Sequence, residues 1–181
     1  KNLITYLQDN HFKAFIDNRC HPNCLAYMEG EHKGTAKRKQ LQSLYGSMFK
    51  HSISFDMKSF FASIDRDILA PILESVMPKQ NARKIMELCA QPYLKNGVLI
   101  ERTGIPMGIS FSNKLTNLYL TEFDYWLTAQ GIEFVRYSDD YDIYGNDKDE
   151  LLKKFDEIRV WLWNNRKLKI NDDKTRIDGH G

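Results

Sequence analysis

A chain of 181 residues with 42% hydrophobic and 12% aromatic content has the size and make-up of one globular domain with a core of bulky side chains. Its 26 basic and 24 acidic residues leave a net charge of +2, so nothing in the bulk charge announces a polyanion partner and any nucleic-acid footprint is confined to a local patch. No apolar run approaches the roughly 20 residues that span a bilayer, so no membrane partner is expected, and three cysteines without a secretory signal exclude a disulfide framework and point to the cytoplasm.

Along residues 1–18, Leu3, Tyr6, Leu7, Phe12 and Phe15 recur at helical spacing, up to the break at His21-Pro22. Cys20 and Cys24 lie near His21 and His32, but without the paired spacing of a structural zinc site. Residues 29–40 are polar and basic, with glycines at 30 and 34, and predict a solvated loop or hairpin carrying Lys33, Lys37, Arg38 and Lys39. Ile53 and Phe55 then alternate with Ser54 and Asp56, so a strand sends the first pair into the core and leaves the Asp56 carboxylate on the other face.

Ile68, Leu69, Ile72, Leu73 and Val76 repeat at helical spacing behind Asp65 and Asp67, which suit a helix N-terminus, with Pro78 closing the helix. A further helix over 81–90 precedes Leu94-Lys95-Asn96-Gly97-Val98-Leu99, where Asn-Gly between apolar residues signals a hairpin. From 110 to 129 the apolar residues cover more than one face, as in a helix buried on several sides and ended by Gly131. Residues 134–144 read as a hairpin with Asp139 and Asp140 at its turn; Leu151, Phe155, Ile158 and Leu162 mark a last helix, and residues 168–170 and 174–177 read as short closing strands.

Taken singly, Asp56 is a strand-end cap and Asp139-Asp140 a turn-forming pair. Together with the loop Gly104-Ile105-Pro106-Met107-Gly108-Ile109-Ser110 they suggest two carboxylate clusters facing one cleft. Phosphoryl transfer uses such clusters to hold two divalent ions about 3.5–4 Å apart. Mg²⁺ needs only one or two protein carboxylates beside substrate phosphates.

At this point the chain resembles the reverse transcriptases, more closely their bacterial branch of retron, group II intron and phage-defence enzymes. The likeness runs over about residues 27–177 in four motifs: Phe55-Asp56-Met57-Lys58-Ser59-Phe60-Phe61-Ala62-Ser63-Ile64; the stretch from Gly104 through Ser112, Leu115, Asn117, Leu118 and Asp124; Tyr137-Ser138-Asp139-Asp140; and residues 168–175 with Asn171 and Lys174-Thr175. The resemblance implies that Asp56 and Asp139 ligate two Mg²⁺ ions, or Mn²⁺, with Met57 in the same metal site and Asp140 as a peripheral ligand.

It further implies that Met57, Lys58, Ser59, Phe60 and Phe61 meet the nucleotide, with Phe61 as the gate against a 2′-hydroxyl and Phe60 turned to the core. Lys37 and Arg38 are expected at the triphosphate, and Lys174 at the leaving pyrophosphate. Gly104, Pro106, Met107, Gly108, Ser112 and Tyr137 are expected at template and primer. The family's second motif usually carries Gln where this chain has Met107, so a polar template contact is lost and template use is open.

The expectation is an α+β right-hand palm, an antiparallel sheet backed by helices, with partial fingers and no thumb. Residues 1–52 would be fingers and 53–181 palm, with a fingers-like hairpin near 91–103. The implied activity is RNA-directed DNA polymerisation from an RNA template and a DNA or RNA primer with deoxynucleoside triphosphates. The alternatives are a template-independent defence-type DNA polymerase, an RNA-dependent RNA polymerase, and a non-catalytic nucleic-acid-binding palm. Oligomeric state is not legible, and a chain starting at Lys1 is expected to be a piece of a longer protein. Arg136 and Asp142, flanking the hairpin tip, are expected to pair with each other.

Overall fold

The computed structural model describes residues 10–28 and 32–178. In chain order it contains α1 (Asn10–Asp17), α2 (His32–Met48), β1 (His51–Phe55), a single turn α3 (Phe60–Ser63), α4 (Arg66–Val76) and α5 (Lys79–Ala90). The hairpin β2 (Tyr93–Lys95) and β3 (Val98–Ile100) follows, then α6 (Ser110–Ala129), the hairpin β4 (Glu133–Tyr137) and β5 (Asp140–Gly145), and α7 (Lys148–Arg166). A 3₁₀ turn (Asp172–Lys174) leads into β6 (Arg176–Ile177).

Four strands pair antiparallel in the order β4-β5-β1-β6. Period-2 alternation sends Ile53 and Phe55 of β1, Tyr141 and Ile143 of β5 and Phe134 of β4 into one core with Phe123 and Leu127 of α6 and Phe155, Ile158 and Leu162 of α7. Phe55 lies opposite Tyr141 in the register, and the two rings stack with centroids 5.3 Å apart. Each such side chain contributes about 1.5–3 kcal/mol by leaving water, so the sheet and its backing helices hold together as a unit. The α+β expectation, an antiparallel sheet backed by helices, agrees with this arrangement.

The local signals behave as their chemistry predicts. The Asp65 carboxylate accepts from the backbone N–H of Asp67 and Ile68 and caps α4. Asn96 and Gly97 both take positive φ, as a two-residue type I′ turn requires. Gly131, at φ +68, stands just past the end of α6. Pro78 differs in detail: α4 ends at Val76, and Pro78 instead opens α5.

Other expectations are corrected. Residues 32–40, expected as loop or hairpin, lie in the long helix α2, while 29–31 fall outside the described residues. The face that α2 turns to the sheet is built from Gly34, Arg38, Leu41, Gln42 and Tyr45, with Phe49 just beyond. Half of that stripe is polar or glycine, so it carries no apolar periodicity. A Cβ on Gly34 would stand 2.4 Å from the Leu25 carbonyl oxygen, so only glycine lets α2 descend onto that segment. Leu41, Tyr45 and Phe49 then pack on Leu25, Val135 and Tyr144.

The helix expected over 1–18 is described from Asn10 to Asp17, and residues 1–9 lie outside the described residues. Of the closing strands, residues 168–170 supply only a single bridge, Ile170 to Met57, and Lys174 sits in the 3₁₀ turn. Phe60 and Phe61 stand in a helical turn rather than a continuing strand. Cys20, Cys24 and Cys89 are buried free thiols. No described helix is long and apolar enough to cross a membrane.

Candidate active site

β1 ends at Phe55 opposite Tyr141, so the next residue, Asp56, comes level with Asp140 at the start of β5. Between β4 and β5 the chain turns on two residues, Ser138 and Asp139, and Ser138 has φ +59. A positive φ at the first central position of a hairpin normally calls for glycine, so this turn holds local strain at a carboxylate-bearing tip. The two acidic clusters expected from the sequence therefore meet at one end of the central strands β1 and β5. Asp56 and Asp140 border a cleft of about 300 Å³ together with Arg38, Ser54, Phe55, Tyr141, Asp142, Lys174 and Arg176, while Asp139 is not among its lining residues.

Electrostatics in the cleft follow from this crowding. Asp139 is pushed up to about 6, first by burial and then by the charge of Asp140, with Asp56 adding to it; backbone hydrogen bonds from its own residue and Met57 act the other way. Burial also raises Asp140, against the pull of Arg38. Lys174 Nζ donates to Asp56 Oδ2 at 3.1 Å, and this bond raises the lysine's pKa. The other oxygen, Asp56 Oδ1, is buried and finds no hydrogen-bond partner.

A buried, unpaired carboxylate oxygen beside carboxylates that repel one another is a donor set for a hard divalent cation. Among the described residues, no three His, Cys, Asp or Glu side chains gather into a cage sufficient for a metal alone. Asp56 and Asp140 face the cleft with Asp139 electrostatically close to both, and an ion there would complete its shell with substrate oxygens. Met57, expected in the same metal site, is buried at 3% exposure, and its backbone bridges to Ile170.

Segments around the cleft are locked to one another. Asn171 N–H donates to the Asp56 carbonyl and Lys58 N–H to the Lys169 carbonyl, which fixes the Lys174 segment along the end of β1. Ile105 N–H donates to the Phe61 carbonyl. Gly104, at φ +65, presses so close that a Cβ there would lie 1.9 Å from Phe61 O. Arg66 Nη1 donates to the carbonyls of Arg102 and Gly104, 2.8 Å each. The glycine loop is thus seated on the turn that carries Phe61, whose partly buried ring meets Phe60 edge-on while Phe60 itself is buried.

Behind the hairpin tip, Arg136 is fully buried and corrects the expected pairing with Asp142. Its Nε and Nη2 donate to the Asp124 carboxylate, with Nη2 2.7 Å from Oδ2, while Nη1 donates to Asn117 Oδ1 and the Ser138 carbonyl, both at 3.0 Å. Tyr141 OH donates to Asp124 Oδ1 at 2.7 Å. This network anchors the strained turn to α6 and satisfies both buried charges. Asp142 instead accepts from Ser54 Oγ at 2.6 Å and Gln42 Nε2 at 2.7 Å.

Of the remaining expected site residues, Lys58 and Ser59 are exposed, Lys37 is exposed on α2, and Tyr137 is half-buried beneath Arg38. Met107 is 75% exposed, Gly108 is exposed at φ +83, and Pro106 is buried. Ser112 is fully buried with an unpartnered hydroxyl, so it packs inside α6 rather than facing the cleft, a correction to its expected template contact. Sequence reasoning missed Gln42 and the anchoring work of Arg136. An arginine inside the apolar run Phe134-Val135-Arg136-Tyr137 was the available signal for the second.

Residues 4–178 match the model of the family described as reverse transcriptase (RNA-dependent DNA polymerase). The chain belongs to that family. Among solved structures this reverse-transcriptase-family chain is similar to apo telomerase from Candida tropicalis truncated from its C-terminal domain, with TM-score 0.66 and 14% identity over 100% of this chain and 41% of that one. It is also similar to telomerase from Candida albicans in complex with a TWJ fragment of telomeric RNA, with TM-score 0.61 and 14% identity over 94% of this chain and 34% of that one. At that identity the likeness is one of fold: the four-stranded sheet with its helices is the family's palm. The chain spans about two fifths of the length of the first telomerase. A comparison with curated proteins returns no match.

Proposed function

We propose that this chain carries the catalytic palm, with part of the fingers in residues 1–52 and the 91–103 hairpin, of an RNA-directed DNA polymerase that adds deoxynucleotides to a 3′-hydroxyl. The observation that carries the reading is the convergence of Asp56 and Asp140 at one cleft that also receives Arg38 and Lys174, with Asp139 near enough to feel the charge of both carboxylates. Two Mg²⁺ or Mn²⁺ ions on Asp56 and Asp139, with Asp140 beside them, would supply charge neutralisation at the attacking and leaving oxygens.

The chain's own residues do the rest. Arg38 meets the triphosphate, and Lys37 adds charge from the same helix. Lys174 Nζ, held on Asp56, donates a proton or a hydrogen bond to the departing pyrophosphate. The Phe61 ring, braced by Phe60 and the Gly104 loop, closes the space a 2′-hydroxyl would need. Lys58 and Ser59 flank the same nucleotide; Gly104, Gly108 and Tyr137 support template and primer. An RNA template is favoured by the family and by the RNA-bound telomerase of the same fold.

A bacterial, cytoplasmic setting of the retron, intron or phage-defence kind follows the motif resemblance and the cysteine usage. Template-free synthesis is the second reading, favoured by Met107, whose exposed thioether gives a template base no good hydrogen bond. The test is deoxynucleotide incorporation with Mg²⁺ by the full-length parent protein, with and without RNA template, beside Asp139→Asn. Template-dependent synthesis lost in the variant supports reverse transcription; template-free synthesis lost in the variant supports the second reading. Incorporation that survives the substitution, or none with nucleic acid still bound, removes the catalytic assignment.

A further inference from the structure

Arg38 is held in the cleft without being bonded there. Its side chain is 25% exposed, with Nη1 3.8 Å from Asp140 Oδ2 and Nη2 3.6 Å from Asp142 Oδ2, both beyond hydrogen-bond length. Nε is buried without a partner, and the guanidinium lies 5.3 Å from the centre of the Tyr137 ring. A planar fork of donors that finds no hydrogen bond among the described residues, and that lines an open cleft, is suited to an anion with several oxygens.

Asp142 has the opposite character. It is 10% exposed, and each carboxylate oxygen accepts a short hydrogen bond, Oδ1 from Ser54 Oγ and Oδ2 from Gln42 Nε2. Ser54 faces it across the β1–β5 register, and Gln42 stands one turn beyond Arg38 on α2. Asp142 therefore ties α2 to the sheet and presents a fixed negative charge 3.6 Å from Arg38 Nη2. We propose that Asp142 is a positioning residue that aims the Arg38 guanidinium into the cleft, where it takes the polyphosphate of the incoming nucleotide. The proposal rests on the reading of the cleft as a polymerase site.

The sign of one substitution decides between this and plain charge repulsion. A carboxylate near a bound anion repels it, so if Asp142 acted only through its charge, Asp142→Asn would tighten anion binding. If Asp142 orients Arg38, the same change weakens binding although residue 142 touches no phosphate. Asparagine keeps the shape, still accepts from Ser54, and pairs with Gln42 once that amide turns over, so α2 stays docked and only the charge facing Arg38 is lost.

The experiment is calorimetric titration of inorganic tripolyphosphate into the full chain: parent, Asp142→Asn, Arg38→Ala and the double variant, with thermal melts as the control for folding. Each single variant is expected to bind about tenfold more weakly, and the double variant no more weakly than Arg38→Ala, as for two residues acting as a unit. In primer extension, Asp142→Asn is expected to raise KM for the nucleotide while kcat holds. Tighter or unchanged tripolyphosphate binding by Asp142→Asn, additive losses in the double variant, or no binding by the parent each overturn the proposal. The binding pattern intact with no incorporation under any condition supports Asp142 as the organiser of an anion site and removes the polymerase reading alone.

Discussion

Replacing Asp139 by asparagine is expected to make the protein more heat-stable while ending nucleotide addition. Folding lifts Asp139 from 3.8 to about 6, a rise of about two units that is worth about 3 kcal/mol at most and about 1–2 kcal/mol after solvent screening. Because the folded pKa lies above the unfolded one, the protonated form favours folding. That contribution is complete below pH 3.8 and is lost as pH rises through about 6, so at neutral pH the parent carries the full penalty of an ionised Asp139. Asparagine carries none.

For a chain of this size each kcal/mol moves Tm by about 2–4 °C, which gives Asp139→Asn a gain of about 2–8 °C at neutral pH in a chelator. The assay is thermal unfolding followed by circular dichroism at neutral pH and near pH 4. The gain should fade toward pH 4, where parent and variant are both uncharged at this position. Saturating Mg²⁺ should stabilise the parent more than the variant and narrow the gap. A variant no more stable than the parent at neutral pH, or one with the same advantage at both pH values, would refute the account of a carboxylate strained by burial and by Asp140.

Three further outcomes are expected. Gly104→Ala puts a Cβ against Phe61 O in a left-handed backbone conformation and should cost about 2–4 kcal/mol in urea unfolding, whereas the same change at Gly46, where a Cβ meets nothing within 4 Å, should not destabilise. Arg136→Met strands the buried Asp124 carboxylate and should lose about 3–5 kcal/mol in the same assay, most of it regained in the double variant with Asp124→Leu. Phe61→Ala should raise the ratio of ribonucleotide to deoxynucleotide incorporation, measured as kcat/KM, by at least about tenfold; an unchanged ratio would take the gate away from Phe61.

Local chemistry was enough to read much of this protein from its residues in order. Strand alternation at Ile53 and Phe55, the Asp65 cap, the Asn96-Gly97 turn and the Asp139-Asp140 tip all depend on near neighbours, and the structure places each of them where that chemistry implies. Asp56, Asp139 and Asp140 stood out only through the joint order of four motifs and the family resemblance, since each read locally is a strand-end cap or a turn residue. Tertiary structure decided what depends on distant partners. Helix α2 had no apolar period because its inward stripe of Gly34, Arg38, Gln42 and Tyr45 answers a carbonyl at Leu25 and a carboxylate at Asp142. Arg136 chose Asp124 over the nearer Asp142, because residues 136 and 142 lie on opposite faces of the sheet once β4 and β5 pair, and only α6 brings an acid to the side on which Arg136 is buried.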